Sequence, residues 1–444
     1  MNATNFQKVA IVGVGAIGGL FAGWLGSRLP AGQIQMSAVA RGETLRALRE
    51  RGLTWIDADG AEHRVPVNAS DDPASLGVQD LVIVSVKGPA MPQVAPAVRA
   101  LMGPQTVVLV AMNGVPWWFF DGLPGEAAGL QLNAVDPGCV TAANIPTAQV
   151  IGCVVHASAA APQPARIERI KNNQLIIGEP AGGVTPRVQA VADLLSAAGF
   201  GVTVSERIQR DIWFKLWGNM TINPISAITG APCDRILDDP LVRGYVSAIM
   251  LEAKAIGARI GIPIDQSPED RHAVTRKLGS FKTSMLQSIE KGSITEVEYV
   301  NGAVVRLGER LGVATPVNRT LQALLKADIP LALLTRNMRA ATQLTIERLQ
   351  IPIQRVLTRE DCAAKPDPAG LLQFAAQLQL PVQQMIYVGD YIFDIQTAAN
   401  AGMASCLYLN PHNQHFAAQA NWSFNHFNQL SSALLCQPNS SPVM

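Results

Sequence analysis

Short apolar runs alternate with amphipathic stretches through the first part of the chain. Lys8–Gly13, Gln35–Ala40, Leu81–Val86 and Thr106–Ala111 are rich in Val, Ile and Leu, as strands buried on both faces of a sheet are. Helical spacing fills the intervals between them, for example over Gly42–Arg51 and Ala95–Leu101. Further strands are predicted at Gln149–Ala157, Gln174–Gly178 and Val202–Val204. This rhythm predicts βαβ units and a largely parallel sheet. It changes near Ser205. From Ile208 to Gly312 the spacing is helical, broken at Pro224, Pro263 and Gly292. Its clearest apolar faces are Val242–Ile260 and the series Val297, Val300, Val304, Leu307, Leu311. After Lys326 the strand–helix rhythm returns, with strands predicted at Pro330–Leu334 and Gln384–Val388 and a frayed tail over Gln437–Met444. The pattern divides the chain into an α/β domain with a parallel sheet (1–205), an all-helical domain (206–325) and a shorter α/β segment (326–444).

A length of 444 residues suits about three domains, and 48% apolar residues supply large cores. A formal net charge of +1 argues against a nucleic-acid or acidic-membrane partner. The six cysteines form no CxxC pair and no metal spacing, which suits a reducing compartment and a cytoplasmic chain. Val9–Leu25 is apolar enough to raise the question of a membrane or leader segment, but it is studded with glycines and lacks a polar cleavage region.

Those glycines have a better explanation. Lys8–Val12 runs into Gly13-Val14-Gly15-Ala16-Ile17-Gly18, a GxGxxG between a predicted strand and helix. The first glycine permits the tight turn, the second admits a pyrophosphate and the third lets helix and strand pack closely. The first domain is therefore expected to be a dinucleotide-binding Rossmann domain. A site for NAD places Asp or Glu after the second strand, whereas this chain has Arg41, whose guanidinium suits a 2′-phosphate. The expected cofactor is NADP(H). Lys87 and Asn113 follow two further strands, at the edge where such sheets bind ligands.

In the helical region Lys215, Asn219 and Asn223 stand at i, i+4 and i+8 among bulky apolar residues. On a helix they form one polar stripe. A buried lysine needs partners, and a ketone or carboxylate ligand would complete this set. Further on, Ser284 is a candidate hydroxyl donor and Glu296 a carboxylate near a helix start.

Residues 1 to about 325 resemble the ketopantoate reductase (2-dehydropantoate 2-reductase) family. The resemblance rests on Gly13–Gly18, Arg41, Lys87, Asn113-Gly114, Lys215–Pro224, Ser284–Gln287 and Thr295–Gly302 in that order. It implies that Lys215 is the proton donor and that Asn219, Asn223 and Ser284 hold a small 2-oxo acid. Asn113 and Glu296 would lie where substrate meets nicotinamide, with Glu296 helping to keep Lys215 charged. The implied function is NADPH-dependent reduction of ketopantoate to pantoate. A homodimer is compatible with it. Three departures concern the identity of the oxo acid: Cys233 where some members have a substrate-contacting Asn, Ser288 where Asp often follows Ser284–Gln287, and the bulky run Trp117-Trp118-Phe119-Phe120.

The final segment resembles the second half of a haloacid-dehalogenase-like (HAD-like) hydrolase, a truncated Rossmannoid. Thr335 after Leu331–Leu334 matches the phosphate-binding hydroxyl, and Lys365 matches the phosphate-neutralising lysine. Asp390 and Asp394 match the acidic motif that holds Mg²⁺. The nucleophilic Asp of a DxD motif has no counterpart. The one DxDG, Asp57-Ala58-Asp59-Gly60, lies in the first domain and reads as a hairpin turn. The segment is expected to bind phosphate without forming a covalent intermediate, and to leave a sheet edge open where the missing strand belongs.

Overall fold

A computed structural model describes residues 6–277, 279–290, 295–326, 332–349, 353 and 355–425. The chain forms two compact units. The first comprises residues up to Trp217 with Lys254–Ile264 and Glu298–Gly312; the second comprises Gly218–Ala253, Asp265–Val297 and the residues from Val313 onward.

The first unit is built on one ten-stranded sheet. Strand β1 (Lys8–Val12) leads into α1 (Ala16–Arg28), β2 (Gln35–Val39), α2 (Gly42–Arg51) and the antiparallel hairpin β3 (Leu53–Ile56) and β4 (Glu62–Val65). Then come β5 (Asn68–Ser70), β6 (Gln79–Val84), α3 (Met91–Ala100), β7 (Met102–Val110), the short α4 (Val140–Asn144), β8 (Val150–Gln163), β9 (Arg166–Gly178), α5 (Pro186–Ala197) and β10 (Gly201–Ser205). The strand order is β4-β3-β9-β8-β7-β6-β1-β2-β5, with β10 also paired to β9. The chain leaves β1 toward β2 and β5, then crosses back to β6, β7 and β8 on the other side. That reversal puts a topological switch point at the carboxyl end of β1, where open α/β sheets bind ligands. Val9, Ile11, Leu81, Ile83, Val107 and Leu109 are buried in the core, which accounts for the unbroken apolar runs of β1, β6 and β7. The turn at Asp57–Gly60 is a hairpin, and Asp57 is tied to Arg28 at 2.7 Å. Burial alone would raise the Asp57 carboxyl, but Arg28 beside it outweighs that and holds it below its ordinary value.

Several strands outrun the apolar pattern: β7 starts at Met102 and β9 at Arg166, ahead of the predicted Thr106 and Gln174. The pattern ends at Ala157, whereas β8 runs on to Gln163 and pairs with β9 along most of its length. The backbone ladder continues where the side chains become half-exposed, so hydrophobicity underreports the strand.

Helices dominate from Ile208 to Lys326: α6 (Ile208–Thr229), α7 (Cys233–Asp238), α8 (Pro240–Arg259), α9 (Pro268–Arg276), α10 (Ser284–Glu290), a π-helical turn (Glu298–Gly302), α11 (Ala303–Leu311) and α12 (Pro316–Lys326). In the second unit the buried end of Glu252 accepts from the backbone N–H of Val317 (2.8 Å) and Asn318 (3.0 Å), tying α8 to the start of α12. Burial raises the Glu252 carboxyl, although these bonds oppose the shift.

The rest of the chain contains β11 (Ala332–Leu334), α13 (Arg339–Leu349), β12 (Arg355–Leu357), α14 (Ala369–Leu378), β13 (Ile386–Gly389), α15 (Ile392–Ala401), β14 (Ala404–Tyr408) and β15 (Trp422–Phe424). Its strands form two separate parallel sheets, β11-β12 and β13-β14-β15. Val388 of β13 is 44% exposed. Pro330, Leu331, Gly292, Cys436 and the predicted tail Gln437–Met444 lie outside the described residues.

Candidate active site

Hydrogen-bond register aligns Val39, Val12, Val84, Val110 and Gly152 in one row across β2, β1, β6, β7 and β8. The predicted cofactor residues follow immediately: Arg41 after β2, Gly13 after β1, Lys87 after β6 and Asn113 after β7. Arg41 and Lys87 are exposed, and Asn113 is half-buried. Gly13 has φ +95°, a left-handed backbone suited to glycine. A Cβ at Gly18 would stand 2.1 Å from the Gly13 carbonyl oxygen, so only glycine lets α1 start this close to the turn. A Cβ at Gly15, by contrast, would meet nothing within 4 Å. The turn therefore presents open backbone over the N-terminus of α1, whose first turn carries no acidic residue. These features fit a pyrophosphate held by Gly13, Val14, Gly15, Ala16, Ile17 and Gly18.

β8 extends past this row, and Val155 lies three residues beyond Gly152, about 10 Å further along. Its carbonyl accepts a 2.6 Å hydrogen bond from Lys215 Nζ on α6. Lys215 is thus held on the carboxyl-end side of the sheet, the side of the glycine turn. Burial pushes the thiol of Cys153, two residues before Val155, up to about 12, while the Lys215 charge pulls it the other way. The bulky run Trp117–Phe120 is core. All four side chains are buried, Phe119 packs on Trp213 of α6 at 6.0 Å between ring centroids, and Trp118 fills the space that Gly152 leaves.

Lys215, Asn219 and Asn223 share one face of the continuous helix α6, and all three are half-buried. Ser284 opens α10 with its side chain exposed, and Glu296 is half-buried just before the π-helical turn. Ser288 donates back to the Ser284 carbonyl at 2.8 Å. Cys233 begins α7 and is buried, which pushes its thiol up to about 11.

In the C-terminal segment a cavity of about 150 Å³ is lined by Thr335, Arg336, Thr358, Arg359 and Lys365, among others. Lys365 Nζ pairs with Asp394 at 2.7 Å, both largely buried. Asp394 also accepts from Tyr387 OH (3.2 Å) and from the backbone N–H of Asp390 (3.1 Å) and Tyr391 (3.0 Å). Both Asp394 oxygens are therefore engaged, while Asp390 is exposed. No group of three or more His, Cys, Asp or Glu suited to a metal occurs among the described residues. A Mg²⁺ ion held here would take Asp390 and Asp394 as carboxylate ligands and complete its octahedron with water and phosphate oxygens.

Two family models described as ketopantoate reductase PanE/ApbA match residues 9–118 and, for its C-terminal part, 207–328. A 2-dehydropantoate 2-reductase of Mesorhizobium japonicum is 38% identical over 72% of this chain and 97% of its own length. The chain belongs to the ketopantoate reductase family. Members of this family are oxidoreductases, and this chain is one. A crystal structure assigned as a ketopantoate reductase from Ralstonia solanacearum MolK2 is 51% identical and superposes with a TM-score of 0.69, covering 72% of this chain and 97% of that one. A D-mandelate dehydrogenase, at 22% identity and a TM-score of 0.61, shares the fold. A model described as haloacid dehalogenase-like hydrolase matches residues 276–408, overlapping the end of the reductase match.

Within this ketopantoate reductase unit, sequence reasoning missed two contributors. One is the Val155 carbonyl, which carries no side-chain signal. The other is Tyr299, which touches the loops after β6 and β7. The sequence placed Tyr299 within the Thr295–Gly302 match, but gave no sign that it meets the glycines directly after Lys87 and Asn113. No described helix is long and apolar enough to cross a membrane.

Proposed function

We propose that the chain reduces a small 2-oxo acid with NADPH, with 2-dehydropantoate (ketopantoate) as first choice and pantoate, a coenzyme A precursor, as product. Lys215 carries this reading. An ammonium anchored on the β8 extension, beyond the row from which the Gly13, Lys87 and Asn113 loops emerge, is suited to serve a carbonyl at the strand ends. When bound, the reduced nicotinamide supplies hydride to the ketone carbon. Lys215 stabilises the charge growing on the ketone oxygen and delivers its proton there, a contribution of roughly 10²–10⁴-fold. Asn113, Asn219, Asn223 and Ser284 orient the substrate. Glu296 favours the charged lysine. Arg41 supports NADP over NAD, because its guanidinium suits a 2′-phosphate. The free cysteines among the described residues agree with a cytoplasmic site of action.

Oxidation of NADPH, followed by loss of its absorbance across a panel of 2-oxo acids, tests the reading. Turnover with ketopantoate and preference for NADPH over NADH support it. Turnover of a different oxo acid alone reassigns the substrate, and no turnover with any of them removes the reading. A second activity, phosphate binding without hydrolysis, is favoured by the cavity at Thr335, Arg336 and Lys365. Mg²⁺-dependent phosphate release that survives Lys215→Ala would show instead an active hydrolase.

A further inference from the structure

Tyr299 stands at the one π-helical turn among the described residues, directly before α11. Such turns are rare and concentrate at functional sites. The side chain is 4% exposed. Its ring lies against Gly88, where a Cβ would come within 2.5 Å of the ring carbons. Its carbonyl accepts the Val115 N–H at 3.0 Å, and a Cβ at Gly114 would come within 2.6 Å of that same oxygen. Gly114 also has φ +81°, so the loop is shaped for this approach. One residue thus touches both the loop that begins with Lys87 and the loop that begins with Asn113. Each loop has glycine at the point of contact.

We infer that Tyr299 is a positioning residue, a wedge that fixes the spacing between the Lys87 loop and the Asn113 loop, and through them the placement of cofactor and substrate before Lys215. The inference rests on the reductase reading and deepens it. Its physical basis is that hydride transfer tolerates little displacement: a shift of about 1 Å costs on the order of 10²-fold in rate. The contacts with these two loops are made by the ring and the backbone carbonyl.

The test uses the full chain, with NADPH affinity measured by fluorescence titration beside steady-state kinetics. Tyr299→Ala is expected to lower kcat on the order of 10²-fold and to weaken NADPH binding, while the pH profile of kcat keeps its shape because Lys215 is untouched. Tyr299→Phe is expected to restore kcat to within about twofold of the parent, since the ring contact is retained. Gly88→Ala presses on the same ring from the loop side and is expected to reproduce the loss, so the inference stays testable should Tyr299→Ala fail to fold. Unchanged kcat and affinity in Tyr299→Ala or Gly88→Ala would overturn it. So would Tyr299→Phe being as impaired as Tyr299→Ala, which would assign the hydroxyl a chemical role. A parent chain that binds no nicotinamide cofactor sinks the reductase reading itself, a result distinct from all of these.

Discussion

Two lysines in this chain are held in different ways. Lys215 donates to a backbone carbonyl, that of Val155, on the extension of β8. Lys365 is locked at 2.7 Å to a buried carboxylate, Asp394, that three other donors also hold. The first sits over a ten-stranded sheet whose central strands are buried, with four strand-end loops aligned beside it. The second belongs to a segment with two small sheets, one of which carries the exposed Val388. Both regions carry side chains that can bind phosphate at strand ends. They differ in what those side chains are arranged to serve.

The sharpest way to break this comparison is to remove each lysine in turn. Lys215→Ala is expected to lower kcat by roughly 10²–10⁴-fold while NADPH affinity stays within about twofold, because the glycine turn is untouched. Full activity in that variant would end the proposed proton transfer. Lys365→Met is expected to do the reverse. It removes the counter-charge of a buried carboxylate that three neutral donors still hold, so the C-terminal segment should lose protection in hydrogen exchange while ketopantoate turnover persists. Loss of turnover without loss of protection would mean that the segment serves the reductase.

A smaller effect sharpens the cofactor side. Gly18→Ala places a methyl 2.1 Å from the Gly13 carbonyl. Opening the turn costs about 1–3 kcal/mol and should weaken NADPH binding more than it lowers the melting temperature. An unchanged affinity would show that the turn does not receive the cofactor.

Much of this was legible in the chain. The buried strands β1, β6 and β7 announce themselves as apolar runs, and Gly13–Gly18 announces its turn, because few residues satisfy those backbone demands. The i, i+4, i+8 stripe on α6 was equally plain. What stayed hidden was whatever the backbone does. The Val155 carbonyl has no residue-type signal, and β8 outruns its hydrophobic pattern because pairing with β9 carries on after burial ends. The role of Tyr299 depends on a π-helical turn and on two glycines more than 180 residues before it, a pairing that only the fold makes. The partners of Asp394 stayed hidden for a related reason. Spacing brings the two carboxylates close, but it cannot reveal that Lys365 pairs with Asp394.

The weakest expected effect separates the helical part of the chain from its charged sites. His272 on α9 is 5% exposed, and neither ring nitrogen has a hydrogen-bond partner among the described residues. Burial lowers its pKa below the ordinary value near 6.5; Glu269 pulls the other way, while Arg243 and Arg276 add to the lowering. The unfolded chain therefore takes up the proton first as pH falls. Stability is fully present above about pH 6.5 and is lost progressively below it, by at most about 1.4 kcal/mol per pH unit for one proton. Between about pH 7.5 and pH 5.5 the melting temperature of the parent should fall by ~2–4 °C more than that of His272→Phe, whose ring cannot charge. Equal falls in the two proteins would mean that the buried ring finds a proton acceptor on folding, and that acid sensitivity here comes from the paired carboxylates instead.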